Sequence, residues 1–295
     1  MGPGPPGPIE FSGALLPGSS VSMSDPLTAA PTAGLPRPPS RLRERVHKSW
    51  PAVAFGLLIL LVWENVETWF DMKPYILPPP STIAAVGWNG WSTIFWPNAK
   101  QTLIEIAIGF PLAWVIGFVT ATAVFHVSLL SRGLLPYIVM SQAIPTIAMT
   151  PIYIIWFGFN IIPKLIVIVT ISFFPLVINT LAGYRSVEHD ALNLMKSLGA
   201  SEKDIFTKVR FPAALPYIFT GTRLTAVVTP IGAFVGEFFG ADMGVAPLML
   251  AMLSAFKTAE MFMAIIMLAG MAISLFLIVV IVERLLIPWY FIARG

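Results

Sequence analysis

From about residue 50 onward, long apolar runs alternate with short polar gaps. A helix of about 20 mostly apolar residues crosses the ~30 Å hydrocarbon core of a bilayer. Six stretches qualify: about 50–69, 102–126, 133–157, 161–183, 213–237 and 262–287. The first ends on Trp63, Glu64, Glu67 and Trp69, an interfacial pattern. The third is interrupted by Pro136, Pro145 and Pro151, and the fourth carries Pro163 and Pro175; proline frees a carbonyl and bends a helix. Segments 70–101 and 238–261 are less regular and read as short helices lying along a surface. The predicted fold class is all-α: a polytopic membrane protein with six transmembrane helices.

Residues 184–212 break this pattern, with nine charged residues in 29, whereas loops between bundle helices run about 2–8 residues. Glu188 and Asp190 suit the positive end of a helix dipole, with Ser186 or Val187 able to start the helix. Ala191, Leu194, Met195 and Leu198 follow at helical spacing as one apolar stripe. Gly199 is placed to close that helix in left-handed backbone. Ser201, with Asp204 three positions on, caps a second helix; its apolar face is Ile205, Phe206 and Val209, and Pro212 stops it. Two short amphipathic helices joined at Gly199 therefore project from the membrane, either as a solvated pair or as a docking element for a soluble partner.

Composition agrees: 56% of residues are hydrophobic and 11% charged, against about 25% charged in a soluble domain. There is no cysteine, which excludes thiolate metal sites, cysteine nucleophiles and a disulfide scaffold. His47, His126 and His189 are too dispersed for a metal cluster, and the methionines from Met243 to Met271 read as flexible packing; no metal site is expected. Residues 1–40 hold 10 of the 27 prolines and six glycines and read as a disordered cytoplasmic tail, with Met23 as an alternative start. Residues 41–295 form the transmembrane domain. Arg37, Arg41, Arg43, Arg45 and Lys48 precede an apolar run and read as a membrane-surface anchor, not a nucleic-acid patch. With the N-terminus in the cytoplasm, 13 lysines and arginines fall inside and 4 outside. Both termini and the 184–212 loop are thus expected on the cytoplasmic face.

Polar residues within the spans are few. Gln142, Thr146, Thr150, Ser172 and Asn179 suit interhelical hydrogen bonds or a water-filled path. Glu237 lies near the outer end of the fifth span, as a gate or an interfacial acid; Glu105 reads as interfacial, and Arg223 pairs with an acid or reaches toward the cytoplasm. Gly232, Gly236, Gly240 and Gly244 recur every four residues. The first pair suits close packing, at an interface between copies or beside the path, and the second pair suits turns.

The charged loop resembles that of a known family. Permease subunits of binding-protein-dependent ABC importers carry a cytoplasmic E-A-A-x3-G-x9-I-x-L-P motif. Here Asn193-Leu194-Met195 stands in the E-A-A place, three residues precede Gly199, and nine more lead to Val209-Arg210-Phe211-Pro212. The resemblance covers about 50–290. Tyr75-Ile76-Leu77-Pro78-Pro79-Pro80 looks like the Leu-Pro-x-Pro segment of the sulfonate, nitrate, taurine and pyrimidine-precursor branch. Gly236-Glu237 with Gly240 and Gly244 resembles its stretch after span five, with Gly244-Val245-Ala246-Pro247 where Gly-Leu-Gly-Tyr is common.

This resemblance implies a type I permease in the bacterial cytoplasmic (inner) membrane, working as a homodimer with two cytoplasmic ABC ATPase subunits and an extracytoplasmic substrate-binding protein. ATP and Mg belong to the ATPase; no cofactor is expected in this chain, which has no G-x-x-x-x-G-K-[ST] and is not itself an enzyme. The coupling residues carried over are Glu188, Asp190, Asn193, Leu194, Met195, Lys196, Leu198, Gly199, Ala200, Phe211 and Pro212. The helix at about 188–198 would dock into a groove on the ATPase, whose closure would tilt the spans and switch access. Gln142, Thr146, Ser172, Asn179 and Glu237 are expected along the path, and Gly232 and Gly236 in helix packing. The cargo is expected to be a small solute, an organic sulfonate, nitrate-like ion or pyrimidine or vitamin precursor, and sparse positive charge in the spans favours a weakly charged or neutral one. A self-contained secondary transporter or a membrane-embedded enzyme are the alternatives. The first would need ion-coupling groups and no docking loop; the second lacks H-E-x-x-H, G-x-S-x-G and an acid cluster.

Overall fold

The computed structural model describes residues 41–73 and 75–292, with side chains from Trp50 onward as far as Tyr290 apart from residue 74. The tail expected at 1–40 lies outside the described residues. Chain contacts separate a unit ending at Ala54 from one beginning at Phe55. The described part of the first unit, 41–54, is the opening of α1 (Arg41–Phe70), with Pro51 inside the helix. In the second unit the described residues form helices and connections without a strand.

The stretch 80–101 is not a set of separate surface helices. α2 (Pro80–Gly90) passes through a widened turn, Trp91–Phe95, into α3 (Trp96–His126), giving a 47-residue helical run. The widened turn has a local cause. Pro97 has no N–H, and its ring would collide with a carbonyl four residues back in a regular helix. Instead the Trp96 N–H bonds Trp91 O, five residues back, and the extra residue in the turn moves the obstructing carbonyl aside.

The same solution recurs before Phe211-Pro212. α8 (Glu202–Ile205) continues through a widened turn, Phe206–Arg210, into α9 (Phe211–Phe238), with the Phe211 N–H bonded to Phe206 O. Pro212 therefore does not stop the second loop helix, contrary to the expectation from sequence; that helix and the fifth span are continuous.

α4 (Ser128–Ser141) and α5 (Thr146–Phe157) meet at 100°. Of the three prolines in this stretch, Pro145 makes the break: it is extended (ψ 103°) immediately ahead of α5, whereas Pro136 and Pro151 stay within helices. α6 (Ile161–Arg185) starts with Asn160 Oδ1 accepting the Ile162 N–H at 2.7 Å. α7 (His189–Ser197), α10 (Val245–Ser254), α11 (Thr258–Leu286) and α12 (Pro288–Ile292) complete the order. Among the described residues five helices are long and apolar enough to cross a membrane, and the bent α4–α5 pair makes six if it crosses as one.

α6 is the centre of the packing, against α9 and α3. Glycine sets the α6–α9 approach. A Cβ on Gly232 would lie 2.9 Å from Ile168 Cα, and one on Gly236 would lie 3.0 Å from Lys164 Cα. Gly183 meets Ala214 and Gly221 meets Leu176 in the same way, so the two helices run antiparallel in close contact. Gly232 and Gly236 thus lie in close contact with α6 of the same chain. This arrangement puts the end of α6, α7, α8 and the start of α9 at one end, here the loop end. The start of α6, the end of α9 and α10 lie at the far end. There Phe95, Ile106, Ile168, Val245, Leu248 and Met267 form an apolar cluster shared by α3, α6, α10 and α11.

Candidate functional site

At the loop end, α7 follows Glu188, whose backbone is extended (ψ 142°) and which makes no side-chain cap; Ser186 and Val187 precede the start. Gly199 has φ +78°. Around it the Ala200 N–H bonds Met195 O at 3.0 Å and the Gly199 N–H bonds Lys196 O at 3.0 Å, the paired closure that a left-handed residue permits. Ser201 Oγ then accepts the Asp204 N–H at 3.1 Å, starting α8. Lys196 and Glu202 form an exposed ion pair across the junction at 3.2 Å.

The stripe on α7 faces outward. Leu192, which the sequence pattern left out of the stripe, is the buried anchor, whereas Leu194 is 61% and Leu198 74% exposed. Asn193, Glu188, Asp190, Lys196 and Gly199 are also exposed, and Met195, Ala200 and Phe211 are half-buried; Pro212 is exposed. The second half of the loop is held firmly. Ile205 is buried, and the Phe206 ring packs against His126, Tyr184 and Phe125 at 4.5, 5.3 and 6.1 Å between centroids. Arg210 Nη1 donates to Tyr184 O at 2.9 Å and lies 5.2 Å over the Phe125 ring. The loop thus offers an exposed apolar edge on α7 and a rigid connection, through α8, to the ends of α3 and α6 and into α9.

The five polar residues expected along a path are spread over the α4–α5 bend, α6 and α9. Among the described residues no hydrogen bond or ion pair joins any two of them. Gln142 is exposed and Thr146 half-buried, on either side of the α4–α5 bend. Ser172 is buried in the α6–α9 seam, where Thr225 Oγ1 donates to its carbonyl at 3.0 Å and Thr229 Oγ1 bonds its hydroxyl at 3.2 Å. Asn179 bonds Pro175 O of its own helix at 2.8 Å. Arg223 lies 3.5 Å from Glu283 of α11.

Glu237 belongs to a buried cluster at the far end. Thr102 Oγ1 donates to Glu237 Oε1 at 2.5 Å and receives the Val245 N–H at 2.9 Å. Glu237 Oε2 accepts the Ala246 N–H at 2.9 Å, and Asn98 Oδ1 accepts the Gly244 N–H at 3.0 Å. Gly244 has φ +140°, and a Cβ there would overlap the Glu237 carboxyl. Beside this, Glu105 Oε1 receives Lys164 Nζ at 2.7 Å and Gln101 Nε2 at 3.0 Å. Glu105 is fully enclosed by protein, not an exposed interfacial acid. Removing one partner of such a buried pair costs about 3–5 kcal/mol, because the other charge is left without compensation. Asn98, Thr102, Lys164, Thr225 and Thr229 were not singled out from the sequence. A signal was present: Asn98, Thr102 and Glu105 share a helical face in an apolar run.

Residues 109–291 match the family described as the binding-protein-dependent transport system inner membrane component. The chain belongs to this family. The permease is 31% identical over 246 residues to the formylaminopyrimidine transport permease protein of Halalkalibacterium halodurans, covering 83% of this chain and 98% of that one. It is 31% identical over 253 residues to the riboflavin transport system permease protein of Chloroflexus aurantiacus, covering 84% and 94%. It is 28% identical over 268 residues to the taurine transport system permease protein of Escherichia coli, covering 84% and 97%. The fold is that of the type I ABC permeases, all helical with five to six apolar spans. Family membership sets aside the secondary-transporter and enzyme readings: the permease is the membrane-spanning subunit of an ABC transport system for a small solute.

Proposed function

We infer that the permease works as two copies in the bacterial inner membrane, with its loop end and both termini in the cytoplasm, where α7 docks into a groove on each of two ABC ATPase subunits. The far end then faces the extracytoplasmic binding protein that delivers the solute. ATP and Mg reside on the ATPase, which closes and drives the switch. The observation that carries this reading is the exposed apolar edge of α7, Leu194 and Leu198, on a helix anchored by Leu192 and closed by Gly199. An edge of this kind is costly in water and is covered when a partner binds. Motion of α7 reaches the spans through its two short connections, residues 186–188 into α6 and the Gly199 turn with α8 into α9.

The cargo is a small, neutral or weakly charged heterocycle of the pyrimidine- or vitamin-precursor kind. The pairing of Lys164 with Glu105 and of Arg223 with Glu283 supports this, since neither cation is left to hold an anion. The names of the aminopyrimidine and riboflavin permeases point the same way. Purification of the permease with its ATPase tests the docking. Leu194→Asp together with Leu198→Asp should leave the permease folded and strip the ATPase from it; retention of the ATPase overturns the docking. Mass spectrometry of the ligand held by the partner binding protein tests the cargo, and a sulfonate there overturns that part.

A further inference from the structure

The first turn of α10 has backbone donors with no partner inside its own helix, as every helix start does. Here Gly244, Val245 and Ala246 are all buried, so water does not serve them. Each is instead received by a side chain from another element: Asn98 and Thr102 of α3 and Glu237 of α9. Asn98 and Thr102 lie 146 and 143 residues from the donors they receive. Thr102 also ties the two supports together by donating to Glu237. Gly244 is required, because only a residue without Cβ fits over the Glu237 carboxyl at φ +140°. The opposite side of α10, through Val245 and Leu248, packs into the apolar cluster with Ala264 and Met267 of α11.

We propose that Glu237 and Thr102 are positioning residues for transport: they clamp α10 to the ends of α3 and α9, so that α10 travels with those helices as one body when access switches. Glu237 then acts through its hydrogen bonds and not as a contact for the solute. α10 lies at the end assigned above to the binding protein, and the functional part of the proposal rests on that assignment; the clamp itself does not. A clamped α10 carries a push from the delivery protein into α9, and hence through the close α6–α9 contact toward α7. A loose α10 absorbs it.

The permease is purified with its ATPase in lipid nanodiscs, and amide hydrogen exchange of residues 244–248 is followed in the parent and in Thr102→Val, Thr102→Ser, Glu237→Ala and Glu237→Gln. Thr102→Val keeps the shape of the side chain and removes both of its hydrogen-bonding roles, so it carries the test if Glu237→Ala fails to fold. In Thr102→Val and Glu237→Ala, exchange at 244–248 is expected to quicken about ten- to a hundredfold, with exchange in α7 unaltered. The ratio of ATP hydrolysis with binding protein to hydrolysis without it is expected to fall toward one. Thr102→Ser keeps both hydrogen-bonding roles and is expected to restore both readouts, whereas Glu237→Gln keeps one of the two acceptors that Glu237 uses and is expected to fall between Glu237→Ala and the parent. Parent-like exchange in Thr102→Val overturns the clamp. Full stimulation despite a loosened α10 overturns its role in transport. Parent-like exchange at 244–248 in Glu237→Gln together with lost stimulation overturns positioning in favour of a role for the charge. Absence of the ATPase from the preparation counts against the docking of α7 and leaves the exchange test of the clamp in force.

Discussion

The α6–α9 contact rests on residues with no side chain at all. Ala at 232 would bring its Cβ to 2.9 Å from Ile168 Cα, and a backbone atom cannot rotate away as the end of a flexible side chain can. Gly232→Ala is therefore expected to force the helices apart and to destabilise the permease by about 1–3 kcal/mol, seen as a lower thermal midpoint in detergent. Gly270 in α11 is the control, since nothing lies within 4 Å of a Cβ built there. Gly270→Ala should be neutral or stabilising by up to about 1 kcal/mol through helix propensity. Equal losses at both positions would mean that close approach is not what Gly232 supplies. The four-residue glycine spacing was visible in the sequence, but a spacing does not say which helix lies opposite. The structure names α6 of the same chain.

At the scale of the element, the loop is two helices with different attachments. α8 runs without a stop into α9 and is fixed by the aromatic group around Phe206, whereas α7 is held by Leu192 and by its two short connections. The turn at Gly199 fixes the angle between them, at φ +78°, which proline with φ near −65° cannot adopt. Gly199→Pro should therefore break the closure of α7 and separate ATP hydrolysis from transport. ATPase activity of the purified complex should persist while stimulation by the binding protein is lost, and intact stimulation would refute it. The caps at Gly199 and Ser201 were legible because a cap is a local matter of backbone conformation and one side-chain acceptor. The face that α7 buries was not: Leu192 lies off the stripe of 191, 194, 195 and 198, and only the position of the neighbouring helices selects it.

For the whole molecule, orientation is the property on which the other assignments depend, and the absence of cysteine makes it simple to test. Lys257 and Lys196 are both exposed, at the far end and the loop end. Lys257→Cys should react with a membrane-impermeant maleimide in intact spheroplasts, and Lys196→Cys only after permeabilisation. The reverse pattern would invert the assignment of the docking loop and the clamp to their partners.

Residence in a membrane, the approximate spans, the expected orientation and the two capped loop helices came from composition, hydropathy and local spacing alone. Each depends on residues near one another in the chain or on sums over a stretch. The pattern also misled at Pro212 and at 80–101, where an aromatic-proline pair preceded by a widened turn lets a helix continue that proline would otherwise end. Tertiary structure decided the rest. Thr102 and Glu237 are 135 residues apart, and Glu105 and Lys164 are 59 apart; only packing makes them partners. A buried polar group needs a partner, but the sequence shows the need without showing which helix meets it.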